Sequence, residues 1–283
     1  MLAALCDGVL AAYGSLPVPH RGRDRLVAFL ERRARARWTG VRTITRRGLR
    51  LWCDFSVDDV GWTLYSYGCL DYFDEQAMRR LLPPGGIAID AGANIGYYSL
   101  LLARWTGSAG RVVSFEPVPF TYSFLQRNLG RNGGINVTPV NCALGSGAGR
   151  VRMTNPSGAR IGHFSVAESG GFEVPCATLD GEIARLGLGR VDFIKIDVQG
   201  YELEVLRGAE DCLHRFRPSL MFEVDKKALH EHGVLPCQLE RFVRERGYEL
   251  FRANRRGRLA PAQCVSDDSV SWFNLFAVHS CSI

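Results

Sequence analysis

The chain has 283 residues, of which 46% are hydrophobic, 23% charged and 10% aromatic; that composition excludes disordered and fibrous classes and allows a substantial core. Its net charge of +6 is local, because residues 21–50 hold eleven arginines against Asp24 and Glu31, a balance of +9 that leaves −3 on the rest. Nine scattered cysteines without a Cys-x-x-Cys pair exclude zinc-ribbon and thioredoxin motifs and read as the reduced thiols of a cytoplasmic protein.

In chain order, residues 2–13 read as a docking helix. The opening MLAALCDGVLAAYG carries Asp7 and lacks a signal peptide's positive start, and no apolar run reaches membrane-span length, so no transmembrane segment is expected. RDRLVAFLERRARAR reads as a helix with a solvated arginine face; the alternative is a basic strip that makes peripheral membrane contact or meets a phosphorylated substrate. VRTITRRGLRLWCDF alternates as a hairpin does, with Arg47-Gly48 at the turn. The apolar-periodic DEQAMRRLL ends at Pro83-Pro84-Gly85-Gly86, a breaker cluster that divides the chain. Residues 1–84 are then a helical and hairpin extension that caps the substrate side, and residues 85–283 the main domain.

From residue 85, apolar strand-like runs alternate with helical stretches: IAIDAG, YYSLLLARW, RVVSFEP, TYSFLQRNLGRN and INVTPVNCAL, then VDFIKIDV, YELEVLRGAEDCL, SLMFEVD and CQLERFVRERG, closing with YELFRA and FNLFAVH. Strands apolar throughout and spaced by helices predict a parallel sheet covered on both faces, a doubly wound α/β domain. Residues 143–180 break the rhythm; GRVRMT and FEVPCAT there predict a hairpin over the functional edge of the sheet.

Three strand tips carry the chemistry. The segment from Ile87 to Gly96 runs a buried strand into a turn with Gly92, Asn94 and Gly96, where glycines let backbone approach a ligand. The spacing departs from G-x-G-x-x-G, and Asp90 on the strand suits an ammonium group better than a pyrophosphate. Glu116, 26 residues on, ends the next strand and suits the two hydroxyls of a ribose. Asn141 and Ala143 end the third, where small side chains offer an adenine a shelf. Ammonium partner, ribose partner and adenine shelf together describe S-adenosyl-L-methionine better than NAD.

With these residues in place the chain resembles a class I methyltransferase of the FkbM family. The resemblance is carried by Asp90–Gly96, Ser114–Pro117, Asn141–Gly145, Thr178-Leu-Asp180 and Val191–Glu202, and extends from about residue 60 to Asn274–Ala277. It implies a Rossmann-like, mostly parallel seven-stranded sheet with a terminal antiparallel hairpin. It also implies S-adenosyl-L-methionine as donor and O-methylation of a sugar, polyketide or related natural product, a small-molecule or glycan acceptor. One departure stands out: the family usually has Glu where this chain has Gln199.

Transfer of an activated methyl to oxygen needs in-line positioning and a base. Asp197, at the tip of the fourth strand, is the leading candidate. Lys195 shares its face by period two, and balances Asp197, binds the acceptor or snorkels to a neighbouring acid. Glu223 is a second base candidate or a structural cap, and His163 a substrate-side base or a plain loop histidine. Tyr65 and Tyr67 are placed to close over the donor. Asp197, Glu223 and Asp225 share no metal-enforcing spacing, so no metal is expected. Leu235-Pro-Cys-Gln238 imitates a cytosine methyltransferase motif but follows the wrong strand, and no Asn/Asp-Pro-Pro-Tyr signature follows the fourth strand; nucleic-acid substrates are disfavoured. The alternatives to O-methyl transfer are a nucleotide-dependent oxidoreductase and a donor-binding module without turnover.

Overall fold

The computed structural model describes residues 2–14, 23–35, 38–133, 136–155, 164–262 and 271–282. Helices α1 (Leu2–Tyr13) and α2 (Arg23–Ala34) precede the antiparallel hairpin β1 (Val41–Arg46) and β2 (Leu49–Asp54), followed by α3 (Asp59–Tyr67) and α4 (Tyr72–Leu81). Arg47 and Gly48 both take positive φ, 51° and 73°, the geometry of a tight two-residue hairpin turn. The extension docks through two asparagines, one inside a later helix and one just past its end. Asn128 accepts from the Trp52 N–H at 2.6 Å and donates to the Trp52 carbonyl at 3.2 Å, and Asn132 repeats the pattern on Arg50. Side-chain amides thereby satisfy the open edge of β2.

The main domain then runs β3 (Ile87–Ala91), α5 (Tyr97–Thr106), β4 (Arg111–Phe115), α6 (Pro119–Arg131) and β5 (Val137–Val140). A small sheet follows, made of β6 (Ala143–Leu144), β7 (Gly149–Thr154), β8 (Ser165–Ala167) and β9 (Phe172–Ala177). Its β7–β9 pairing is the expected hairpin excursion, widened by two short strands. The chain continues through α7 (Leu179–Arg185), β10 (Phe193–Ile196), α8 (Glu202–Arg207), α9 (Glu210–Phe216) and β11 (Ser219–Asp225). It closes with α10 (Lys226–Glu231), α11 (Pro236–Arg244), β12 (Tyr248–Ala253), β13 (Leu259–Pro261) and β14 (Trp272–His279). The single helix expected over YELEVLRGAEDCL is two, because Gly208 packs so closely on the Gly145 carbonyl that any side chain there would collide.

The central sheet has the order β13-β12-β14-β11-β10-β3-β4-β5. Its strands β5, β4, β3, β10 and β11 are parallel, and β14 enters antiparallel between β11 and β12. This is the expected seven-stranded arrangement with one short edge strand, β13, added outside β12. One apolar core lies against the extension, α5 and α6; a second lies under α7 to α11 on the opposite face. Among the described residues no helix is long and apolar enough to cross a membrane, and the eight described cysteines are free thiols.

Candidate functional site

The strand order reverses at β3, between β4 and β10, so the loops leaving β3 and β10 diverge and open a crevice at the carboxyl edge. A cleft of about 190 Å³, open to solvent, lies there.

The loop after β3 makes one half of it. Gly92, Asn94 and Gly96 all have positive φ. A Cβ at Gly92 would run into the Asp197 carbonyl oxygen, so the two loops meet at van der Waals contact only because residue 92 has no side chain. Glu116, 6% exposed, lines the cleft; its Oε2 accepts from the Asn94 N–H and its Oε1 from the Val118 N–H, both at 2.9 Å. Burial pushes its carboxyl up to about 7 against the pull of those two donors. Asn94 Oδ1 is buried without a hydrogen-bond partner. Ala143, with Cys142 and Leu144, forms an apolar wall that Met153, Phe164 and Val166 of the small-sheet excursion extend.

Four of the expected site residues lie elsewhere. Asp90 is fully buried behind the loop, where it takes the Ser99 hydroxyl on Oδ2 at 2.6 Å and the Lys195 ammonium 3.2 Å from Oδ1. It does not face the cleft, and the expected direct contact with an ammonium ligand is corrected to a structural pair. Asn141 donates to the Glu116 and Pro117 carbonyls at 2.8 and 3.0 Å, bracing the turn that carries Glu116. Gly96 starts α5, where a Cβ would press on a methyl of Leu125. Lys195 is 1% exposed; it donates to the Gly92 carbonyl at 3.2 Å and lies 3.4 Å from Asp197 Oδ2. Burial alone would lower its pKa, but Asp90 and Asp197 more than offset this and hold it above the usual lysine range. Buried between the two loops, it balances Asp90 and Asp197 and does not line the cleft.

The loop after β10 makes the other half. Asp197 lines the cleft with its side chain 35% exposed. Gln199, at φ 56°, lies between two carboxyl groups: its Nε2 donates to Asp197 Oδ1 at 3.3 Å and to Glu223 Oε2 at 3.2 Å. Glu202 fixes this loop from behind by accepting from the Val198 and Gly200 N–H groups at 3.2 and 3.1 Å. Glu223 lines the same cleft, and burial first, then Asp197, Glu202 and Asp225, pushes its carboxyl up to about 9. Asp225 instead caps α10, accepting from the Lys227 and Ala228 N–H groups.

Tyr65 packs among Trp38, Phe55 and Trp62, and neither it nor Tyr67 lines the cleft, so the expected lid is not formed by them. The extension reaches the cleft through Val60. His163 lies outside the described residues. Leu235-Pro-Cys-Gln238 is a helix start, with Gln238 accepting from the Leu235 N–H at 2.7 Å. Sequence reasoning missed Glu202 as a loop brace and the apolar residues of the small sheet; the latter had a signal in the expected excursion over this edge.

Comparison with known proteins places the chain in a family. The family model described as the Methyltransferase FkbM domain matches residues 90–250, more than half of the chain. Methyltransferase sdnD of Sordaria araneosa is 29% identical over 215 residues, covering 64% of this chain and 80% of that one. The hexuronic acid methyltransferase AglP of Haloferax volcanii is 29% identical, covering 50% of this chain and 59% of its own length. The 31-O-demethyl-FK506 methyltransferase FkbM of Streptomyces tacrolimicus is 28% identical, with 46% and 62% covered; this chain thus spans about three fifths of the last two. A solved FkbM methyltransferase from Methylobacillus flagellatus superposes with a TM-score of 0.46 at 17% identity, over 91% of this chain and 60% of that one.

Proposed function

This chain is a methyltransferase and belongs to the FkbM family, and on that premise we propose that it transfers methyl from S-adenosyl-L-methionine to an oxygen of a sugar, polyketide or related small-molecule acceptor. The observation that carries this reading is the convergence of Gly92, Asn94, Glu116 and Asp197 on one cleft at the switch point of the sheet. The donor supplies an already activated methyl, so the protein's part is binding, orientation and proton removal.

The residues present fit such a donor. Glu116 keeps free lone pairs beyond its two backbone donors and suits a ribose diol. Asn94 Oδ1, buried and unpartnered, is an acceptor suited to an ammonium group, the role Asp90 does not fill. The apolar wall of Cys142, Ala143 and Leu144 suits adenine. Asp197 is the proposed base: it accepts the proton of the acceptor hydroxyl, and Lys195 and Gln199 hold its carboxylate in place. The acceptor's oxygen chemistry draws support from the relatives named for an O-demethyl and a hexuronic acid substrate.

Titration calorimetry with S-adenosylhomocysteine and with NAD tests the reading. We expect binding of the first and none of the second, and Glu116→Gln should weaken the first by roughly tenfold or more, the worth of a charged hydrogen bond. NAD binding, or unchanged affinity in the variant, would overturn the donor assignment.

A further inference from the structure

We propose that Gln199 is a positioning residue that ties Asp197 and Glu223 into one acid pair and tempers the proton affinity of Glu223, while the Lys195 ammonium favours charge on Asp197 and leaves Glu223 as the neutral acid that hydrogen-bonds the acceptor. The role toward the acceptor rests on the methyl-transfer reading above; the protonation state does not.

The geometry is asymmetric. The two amide hydrogens of Gln199 are spent on Asp197 Oδ1 at 3.3 Å and Glu223 Oε2 at 3.2 Å. Asp197 has in addition the Lys195 ammonium 3.4 Å from its other oxygen. One carboxyl group thus receives a cation and an amide, the other an amide alone. Two like charges bridged by one nitrogen disfavour joint ionisation, and the proton settles on the group without a cation, at Glu223 Oε1, because Oε2 accepts from Gln199.

The surroundings push the same way. Burial is the main cause that raises Glu223, followed by Asp197, Glu202 and Asp225, and Lys195 only partly opposes them. On the neighbouring strand Asn274 stands in register with Glu223, but its amide donates to Asp74 of α4 at 2.9 Å. Asp71 of α4 accepts from the Tyr98 hydroxyl at 2.8 Å. Asp71 and Asp74 are themselves raised by burial, and the cation on that side, Arg252, acts on Asp74. Glu202 aims Gln199 by pinning the N–H groups on either side of it. A glutamate at 199 would replace the shared donor by a third carboxyl group.

A carboxylate beside a carboxylic acid offers one acceptor and one donor. That pair fits a reacting hydroxyl with a second oxygen on the adjacent carbon.

The test needs no acceptor. In donor-free protein carrying ¹³C-carboxyl Glu and Asp, Glu223 is assigned by its loss in Glu223→Gln and titrated by NMR. We expect it to stay protonated through pH 7, with a midpoint near the value of about 9 that the site imposes. Gln199→Asn keeps an amide that tolerates the left-handed backbone but reaches one methylene less. It should move the midpoint up by about one pH unit, a tenfold gain in proton affinity; Gln199→Met should do the same. A purely structural Gln199 would leave the midpoint unmoved. Glu223 ionised at pH 7 in the unsubstituted protein, or an unshifted midpoint in either folded variant, overturns the proposal. Calorimetry with S-adenosylhomocysteine on the same samples reports separately on the donor reading.

Discussion

The two halves of the cleft are built by different means. On the β3–β4 side the cleft is lined by the glycine-bearing turn and by apolar side chains, and the carboxyl group there, Glu116, is held by two main-chain donors. On the β10–β11 side the groups are long side chains, Asp197, Gln199 and Glu223, held mainly by one another. A half made of backbone depends on residues that have no side chain or a positive φ, and it fails by collision. A half made of side chains depends on where protons and charges sit, and it fails by rebalancing. Lys195 joins the two, bonding to the Gly92 carbonyl on one side and pairing with Asp197 on the other.

That joint is where the comparison breaks most readily. Asp90→Ala removes a fully buried partner of a fully buried lysine, and breaking such a pair costs about 3 kcal/mol or more. We expect a large loss of thermal stability, and a fall in donor affinity that follows from release of the Gly92 loop. Calorimetric unfolding with unchanged stability would show that Asp197 alone satisfies the ammonium.

Within the backbone-built half the glycines should separate. Gly92→Ala meets a rigid carbonyl oxygen at φ +79°, whereas Gly96→Ala meets the methyl end of the flexible Leu125 side chain at φ +91°. Both pay for left-handed backbone, roughly 1–3 kcal/mol, but only the first must also push two loops apart. Gly92→Ala should abolish binding of S-adenosylhomocysteine, and Gly96→Ala should weaken it several-fold. Equal losses would mean that the loop moves as one body.

These contrasts follow what was legible in the sequence. The βα alternation, the hairpin turn at Arg47-Gly48 and the strand tips at Gly92, Glu116 and Asp197 could be read because each rests on local pattern: apolar runs, a turn dipeptide, a carboxylate at a strand end. Asp90 was misplaced because motif reading gives a residue's strand but not the partner that claims its side chain, and that partner, Lys195, is 105 residues away. Tyr65 was misplaced for a related reason: an aromatic near a domain edge has no local mark that separates a lid from a core residue. Gln199 stood out as a departure from a pattern, but its two hydrogen bonds reach one neighbour two residues away and another 24 away, which spacing does not reveal.

In the half built of side chains, Asp197→Asn keeps shape and removes the base. We expect turnover with an accepted hydroxyl substrate to fall by roughly 10²-fold or more, as loss of a general base does. The affinity for S-adenosylhomocysteine should hold within a few-fold, because Gly92, Asn94 and Glu116 are untouched. Near-full turnover would move the base elsewhere, with Glu223 next in line through its place in the same cleft.

The smallest expected effect concerns the buried carboxyl groups, those of the cleft among them. Burial, the largest cause in each case, pushes Asp58, Asp74, Glu116 and Glu202 up to about 7 and Glu223 up to about 9. In the unfolded chain these groups titrate near 4, so the folded protein binds more protons. Stability from this source is complete below the unfolded values and is lost as pH rises through the folded ones. His232 and His279, both lowered mainly by burial, act in the opposite sense below about pH 6.5, which leaves pH 7–8 as the clean window. There the unfolding temperature of donor-free protein should fall steadily. Glu223 contributes to that slope, joined above pH 8 by the thiols of Cys53, Cys142, Cys176 and Cys212 that burial also raises, so Glu223→Gln should make it shallower without abolishing it, a difference of about 1 kcal/mol or a few degrees. A flat profile in the unsubstituted protein would mean that the side-chain half of the cleft is as well balanced as the backbone half, and the contrast between them would lose its electrostatic basis.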